Sequence, residues 1–159
     1  FSHLYHGNFE GLNIEEIEQL RIAQAVEALP RVYIEFLQIM GRKAGGIFRG
    51  CSVSFDELLE LKKVLYMMQE QHEGAKPRMP GNMFVFLAIQ DVDFFFFDAA
   101  ADSDDPPVYY YMDGMDEYHQ AASTLSSWLW EQAFDPTKKV LPIVNAFIKK
   151  QQGKTDKTS

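Results

Sequence analysis

The sequence predicts an α+β fold: a mostly antiparallel central sheet with a three-strand meander, covered by helices. The stretch Met83–Met112 contains three apolar, aromatic runs separated by short acidic breaks. A strand shows alternate residues to opposite faces, so runs that are apolar at every position are typical of strands covered on both sides. Their aromatic content favours strand over helix. Helical patterns on both sides of this stretch supply the expected cover.

Length and composition predict one domain. The chain has 159 residues, 47% of them hydrophobic, which is enough to bury a sizeable core. We expect this domain to span residues 1–151, with a C-terminal helical extension at about 135–151 and a disordered tail at 152–159. A single cysteine excludes an intramolecular disulfide and fits a reducing compartment, so the predicted location is cytoplasmic.

The net charge of −8 restricts the class of partner. Nucleic acid is disfavoured because phosphate binding needs a basic face, whereas a basic protein partner suits this charge. The longest purely apolar run, Met83–Ile89, is far shorter than the roughly 18 residues of a membrane helix. We therefore expect a protein partner, no nucleic acid and no membrane, and no secretory signal is visible. The oligomeric state stays open.

The first helix is predicted from its capping residues. Asn13 and Glu16 have the spacing of a capping box, and Leu12 and Ile17 have the spacing of a hydrophobic staple. We expect this helix to run to about Ala28.

The second helix follows a proline. Pro30 fits its first turn, and Gly41 can end it. Its apolar residues recur at i, i+3, i+4 and i+7, namely Tyr33, Phe36, Leu37 and Met40.

The third helix is predicted to begin after a short strand near Cys51–Val53. Ser54 and Glu57 again have the spacing of a capping box. The helix should fade near residues 71–74, and its buried stripe is Leu58, Leu61, Leu65 and Met68.

The meander and two further helices complete the prediction. An acidic loop, Asp98–Pro107, lies between the second and third strands. A helix is expected to open at Asp116 or Glu117 and to run to Ala133, and a last helix is expected at about Pro142–Lys150. The three strands are Phe84–Ile89, Phe94–Phe97 and Val108–Met112.

No catalytic residue, cofactor site or metal site is predicted. Gly41–Gly46 lacks the Gly-Lys-Ser/Thr ending of a phosphate-binding loop, so it is interpreted as a helix end and a loop. Cys51 has no recognisable histidine base, which makes an inert thiol the expectation. No Cys/His spacing matches a zinc site. A small hydrolase that uses Cys51 or the aspartates is kept as a competing hypothesis.

The acidic loop is the candidate contact surface. Three interpretations stay open: a solvated loop, an acidic rim for a basic partner, and a weak cation site without the glycine and distal glutamate of an EF-hand. An outward-facing Tyr109 could anchor a partner beside it. The predicted partner-binding residues are Asp98, Asp102, Asp104, Asp105 and Tyr109, with Asp113, Asp116 and Glu117 extending the same rim.

The order of these segments resembles the cell-wall-assembly-regulator family of the SUKH superfamily, which also contains bacterial toxin-immunity proteins. The resemblance begins with the helix at Ala28–Gly41, which carries Leu29-Pro30, Tyr33, Phe36-Leu37 and Gly41. It continues through the helix opened by Ser54, through Phe84–Phe97 and Pro106–Tyr109, and ends with Ala122–Leu129; together it spans about Asn13 to Ala133. The sequence departs from the family pattern at Met40, at the turn Gln90–Asp93, and after Asp135.

This resemblance implies a SUKH-like α+β domain that binds protein and has no known catalytic site. Bacterial members are commonly immunity proteins against toxins, many of them nucleases or deaminases, and fungal relatives are regulatory scaffolds. The expected function is therefore neutralisation of a bacterial toxin by occlusion of its active domain. A regulatory scaffold that binds an endogenous protein or peptide is the alternative.

Overall fold

The computed structural model describes residues 9–44, 47–48, 51–71 and 79–134. These residues form five helices and seven strands. The helices are α1 (Ile14–Ala23), α2 (Arg31–Met40), α3 (Phe55–Leu58), α4 (Leu61–Gln71) and α5 (Leu125–Phe134). The strands are β1 (Phe9–Glu10), β2 (Lys43–Ala44), β3 (Cys51–Ser52), β4 (Met83–Ile89), β5 (Asp93–Asp98), β6 (Val108–Met112) and β7 (His119–Ala122).

The main sheet is antiparallel, with the strand order β3-β4-β5-β6-β7, and β1 and β2 form a separate two-stranded sheet. The predicted meander is confirmed as β4, β5 and β6. All seven residues of β4 are buried, and so are Phe94–Phe97 of β5. The predicted α+β fold with a mostly antiparallel sheet is therefore confirmed.

Helices cover both faces of this sheet. On one face, Tyr33 of α2 packs edge-on against Phe84 and Phe97, with ring centroids 5.1 and 5.2 Å away. Trp128 of α5 packs on Phe86 and Phe95 of the same face. The other face meets α4, where Gln69 lies beside the hydroxyl of Tyr111. Burial of these large aromatic side chains is the main driving force for the fold.

A buried amide joins the helices to the sheet. Gln24, which caps the C-terminus of α1, donates from Nε2 to the carbonyl oxygens of Leu58 at 2.9 Å and Val85 at 2.8 Å. Its Oε1 accepts from the Val85 N–H at 2.8 Å. Lys62 Nζ donates to the Gln24 carbonyl at 2.6 Å. Because β3 pairs only with Ala88 and Ile89 of β4, the Gln24 side chain satisfies the β4 edge at Val85, where β3 does not reach.

The predicted boundaries of α1 and α2 were confirmed in part. The capping box of Asn13 and Glu16 is present, and α2 ends at Gly41 as predicted. Pro30 lies at the N-cap of α2 rather than inside its first turn. α1 ends at Ala23 instead of about Ala28, because Ala25 takes a positive φ of 54° and turns the chain away.

The predicted third helix is two helices, α3 and α4, separated at Leu59 and Glu60. The Ser54 side chain makes no capping hydrogen bond, so that part of the prediction was wrong. The Leu58 carbonyl at the end of α3 accepts a hydrogen bond from the buried side-chain amide of Gln24. This bond holds the chain at the break between α3 and α4.

The helix expected from Asp116 or Glu117 was also placed wrongly. The chain from Asp113 to Tyr118 turns, β7 pairs with β6, and only then does α5 begin at Leu125. Pairing satisfies the backbone groups along β6, a requirement that the local helical pattern does not reveal.

Contacts divide the chain into two compact units, residues 1–128 and residues 129–159. In the second unit, the described residues form the C-terminal part of α5, up to Phe134. The last helix predicted at about Pro142–Lys150 and the tail from residue 152 lie outside the described residues.

Candidate functional site

The acidic loop between β5 and β6 is bound to the N-terminal ends of two helices. The Asp105 carboxylate accepts from the backbone N–H of Ser126 at 2.8 Å and from its hydroxyl, near the start of α5. The Asp104 carbonyl accepts from the Val32 N–H at 3.1 Å in the first turn of α2. These bonds satisfy helix-terminal donors that have no partner within the helix, so this part of the loop has a structural role.

The carboxylates of Asp98, Asp102 and Asp104 differ in their contacts. Asp98 is half-buried and accepts from the Ala100 N–H at 2.9 Å, which stabilises its own turn. The carboxylate of Asp104 lies 3.9 Å from Arg31 Nε, in an exposed ion pair of small energetic value. Asp102 is exposed and, within the described part of the chain, makes no ion pair. Of the four aspartates, Asp102 is therefore the most available to a partner.

Asp113, Asp116 and Glu117 do not extend this rim. They follow β6, whereas the acidic loop precedes it, so the two groups lie at opposite ends of the sheet. The five residues of β6 separate them by about 17 Å along the strand. We call these three residues the turn cluster; all three are exposed. The Asp113 N–H donates to the Val92 carbonyl at 2.8 Å, which fixes the cluster beside the β4–β5 turn.

Two residues of the turn cluster, Asp113 and Asp116, act electrostatically on Tyr111 of β6. Burial raises the pKa of the Tyr111 hydroxyl, and the charges of Asp113 and Asp116 raise it further, although the neighbouring Gln69 side chain lowers it. Burial also raises the pKa of Asp93 at the start of β5. The Tyr110 hydroxyl donates to Asp93 Oδ1 at 3.2 Å and acts in the opposite direction.

Tyr109 packs against other aromatic rings. Its ring meets that of Tyr118 at 5.5 Å and 86°, and stacks on Phe96 at 5.6 Å. Phe96 is fully buried, whereas Tyr109 and Tyr118 are half-buried. Glu117 immediately precedes Tyr118 in the chain. The result is a pair of half-buried tyrosines that both contact the buried ring of Phe96.

The sequence did not single out Tyr118 because this residue falls within the helix that was expected to open at Asp116 or Glu117. The local signal was present in the Asp113-Gly114 turn, where Gly114 takes a φ of 86°. A turn directly after β6 is typical of a chain that reverses, so that a short strand can pair with β6.

The Cys51 thiol lies in a cleft of about 140 Å³ whose lining includes Arg42, Phe48 and Glu57. Burial raises the pKa of this thiol to about 11, and the charge of Glu57 adds to the shift. The thiol is therefore protonated near neutral pH. That is the reverse of the lowered pKa by which a cysteine nucleophile is activated, and it argues against the hydrolase hypothesis at Cys51.

The described ranges show neither a metal-binding arrangement nor a membrane-spanning helix. There, no group of three or more His, Cys, Asp or Glu side chains is arranged to hold a metal ion. No helix among the same residues is long and apolar enough to cross a membrane.

Comparison with protein families identifies the fold. Residues 11–131 match the model of the SMI1/KNR4 family (SUKH-1), which covers well over half of the chain. A search of curated proteins found no match. The matched range begins just before α1, contains the whole five-stranded sheet and reaches into α5. Domains of this family are generally protein-binding, with immunity or regulatory roles, and generally non-enzymatic. The chain belongs to the SMI1/KNR4 family (SUKH-1).

Proposed function

We propose that this protein is a cytoplasmic immunity protein that binds a bacterial toxin and occludes its active domain. The observation that carries the proposal is the exposure of carboxylates at both ends of the sheet, in a chain with a net charge of −8. A basic toxin domain is the partner that this charge distribution complements.

The electrostatic argument concerns the rate of association. Toxins that act on nucleic acids need a basic surface around their active site, because their substrate is anionic. An acidic protein directed at that surface associates faster than a neutral one, and salt screens the attraction. Occlusion then requires no chemistry from the immunity protein, in keeping with the generally non-enzymatic character of the family.

Co-expression tests the proposal directly. The toxin encoded next to this protein should arrest growth when it is produced alone and be harmless when both are produced. The purified pair should form a complex whose association rate falls several-fold between about 50 and 200 mM salt, because surface charge steers the encounter. Failure of every neighbouring toxin candidate to bind would refute the proposal.

A regulatory scaffold would give a different pattern. Such a protein would bind an endogenous partner, and its deletion would impair growth in cells that lack any toxin. Comparing deletion strains with and without the neighbouring toxin gene separates the two functions, because an immunity protein is dispensable once its toxin is removed.

A further inference from the structure

The cleft beside Cys51 has both an apolar and a polar lining. Its volume of about 140 Å³ is close to the roughly 150 Å³ of a cavity that holds one benzene molecule, so it has room for a single side chain. The end of α2, β2 and the segments on either side of β3 supply the apolar walls, which are Met40, Ala44, Phe48 and Val53. The polar part of the lining is Arg42, Cys51, Ser54 and Glu57.

Arg42 and Glu57 bring opposite charges to this cleft, and they differ in their partners. Arg42 Nε lies 3.5 Å from Glu10 Oε1, and Arg42 Nη2 contacts the Glu16 carboxylate, so two carboxylates face one guanidinium. Glu57 is exposed and forms no ion pair with any residue in the described ranges. The charge that the cleft offers to a partner is therefore negative.

The Cys51 thiol shows the sign of the potential within the cleft. The charge of Glu57 adds to the effect of burial and raises the pKa of this thiol, and Arg42 does not offset that effect. This interaction places the Glu57 carboxylate within electrostatic reach of the thiol, in agreement with its position in the lining.

An apolar wall beside an unpaired carboxylate suits a cation that is carried on an aliphatic stem. Lysine has this form, because its methylene groups can lie along an apolar surface while its ammonium reaches a charged group. Arginine often gains from stacking on an aromatic face. Phe48, the aromatic residue of the lining, already packs against Phe36 and Trp128, so lysine suits the cleft better.

We propose that this cleft receives one lysine side chain of a basic protein partner, with its stem against the apolar walls and its ammonium at Glu57. The Ser54 hydroxyl, which makes no capping hydrogen bond, is a second acceptor in the lining. The identity of the partner rests on the proposed function, whereas the preference for an alkylammonium group can be tested on the full chain alone.

Thiol reagents of similar size and opposite charge measure the potential in the cleft, because Cys51 is the only cysteine of the chain. The probes are aminoethyl and sulfonatoethyl methanethiosulfonate. Relative to a small model thiol, we expect Cys51 to favour the cationic reagent about tenfold. The ratio of the two rates cancels any change in the thiolate fraction, so it isolates the attraction between the cleft and the reagent.

Two variants show whether Glu57 causes this preference. Glu57→Gln should lower the ratio about fivefold. Asp56→Asn removes a neighbouring exposed charge that does not line the cleft and should leave the ratio within twofold. Equal losses in the two variants would mean diffuse attraction to an acidic protein and would refute the site.

Butylammonium, a mimic of the lysine side chain, tests occupancy by amide NMR. We expect it to shift the signals of Cys51, Ser54 and Glu57 saturably at millimolar concentration, butanol to bind at least about fivefold more weakly, and butyrate to give no shift. Equal binding of butanol, tighter binding of butylguanidinium, or no shift up to about 100 mM butylammonium would each overturn the proposal.

Measurements with the toxin separate this inference from the proposed function. If the toxin binds the wild type and Glu57→Gln equally, the cleft is not the anchor, and the immunity function stands. If no toxin binds while butylammonium still selects the cleft, the immunity function fails and the alkylammonium site stands.

Discussion

Replacement of Gln24 by leucine is the sharpest test of how this fold is held together. The Gln24 side chain is fully buried and makes three hydrogen bonds, two to backbone groups of Val85 and one to the Leu58 carbonyl. Leucine has a similar size but no polar atom, so the variant leaves these three backbone groups buried without a partner.

The expected loss follows from the groups left behind. A buried donor or acceptor without a partner costs about 1–3 kcal/mol, so three of them set a lower limit of about 3 kcal/mol. Domains are stable by about 5–15 kcal/mol, so this loss is a large fraction of the total. In a chain of this length, it corresponds to a fall of about 6–12 °C in Tm.

Urea unfolding followed by circular dichroism measures the loss, with Gln19→Leu as the matched control. Gln19 lies on the same helix but is exposed, so its replacement should change stability by no more than about 0.5 kcal/mol. Hydrogen exchange supplies a second readout. The Val85 amide is bonded to Gln24 Oε1, so its exchange should accelerate in Gln24→Leu more than that of other β4 amides.

The reasoning would be wrong if Gln24→Leu lost no more stability than Gln19→Leu. It would also be wrong if the Val85 amide kept its wild-type protection. Either result would mean that the β4 edge at Val85 finds other partners and that the amide is not what joins α1 to the sheet.

Three further perturbations test other parts of the fold. Asp105→Ala removes the acceptor at the start of α5 and should lower the free energy of unfolding, measured in urea, by about 1–2 kcal/mol. Asp102→Asn, on the same loop, should leave that free energy unchanged. Equal losses in the two variants would exclude the capping role of Asp105. Gly11→Ala should cost about 3 kcal/mol because its Cβ would lie 1.7 Å from a backbone oxygen, whereas Gly81→Ala, with open space around it, should change the thermal midpoint by about 2 °C or less. Asp93→Asn keeps an acceptor for the Tyr110 hydroxyl and removes a charge that burial disfavours, so it should be at least as stable as the wild type at pH 7. Burial raises the pKa of Asp93 above 3.8, so the stability advantage of Asp93→Asn should vanish as the pH falls below 3.8, where the carboxyl is neutral in both the folded and the unfolded chain. An advantage that did not change with pH would mean that the buried charge is not its cause.

Local patterns were sufficient for much of the fold. The runs that became β4, β5 and β6 are apolar at nearly every position, and such runs have few stable arrangements other than buried strands. The capping box at Asn13 and the stripe of α2 likewise depend on residues within one or two helical turns. The family resemblance, carried by the order of these segments, was confirmed over residues 11–131.

The candidate surface was predicted in composition but not in arrangement. The sequence supplied every carboxylate and Tyr109, yet it joined two groups that the sheet holds about 17 Å apart. It also placed Tyr118 on a helix, although the ring of this residue packs against that of Tyr109 ahead of β7. That these residues bind a partner stays a prediction.

The sequence by itself determined the class of the fold, the central strands and the acidic character of the surface, because each depends on the identity of neighbouring residues. Only the tertiary structure decided that residues 119–122 form a strand, that Asp105 caps a helix 20 residues further along, and that Gln24 completes the edge of β4. These features arise because backbone groups left over in one element must find partners in another. Which residue supplies the partner depends on distances that exist only once the chain has folded.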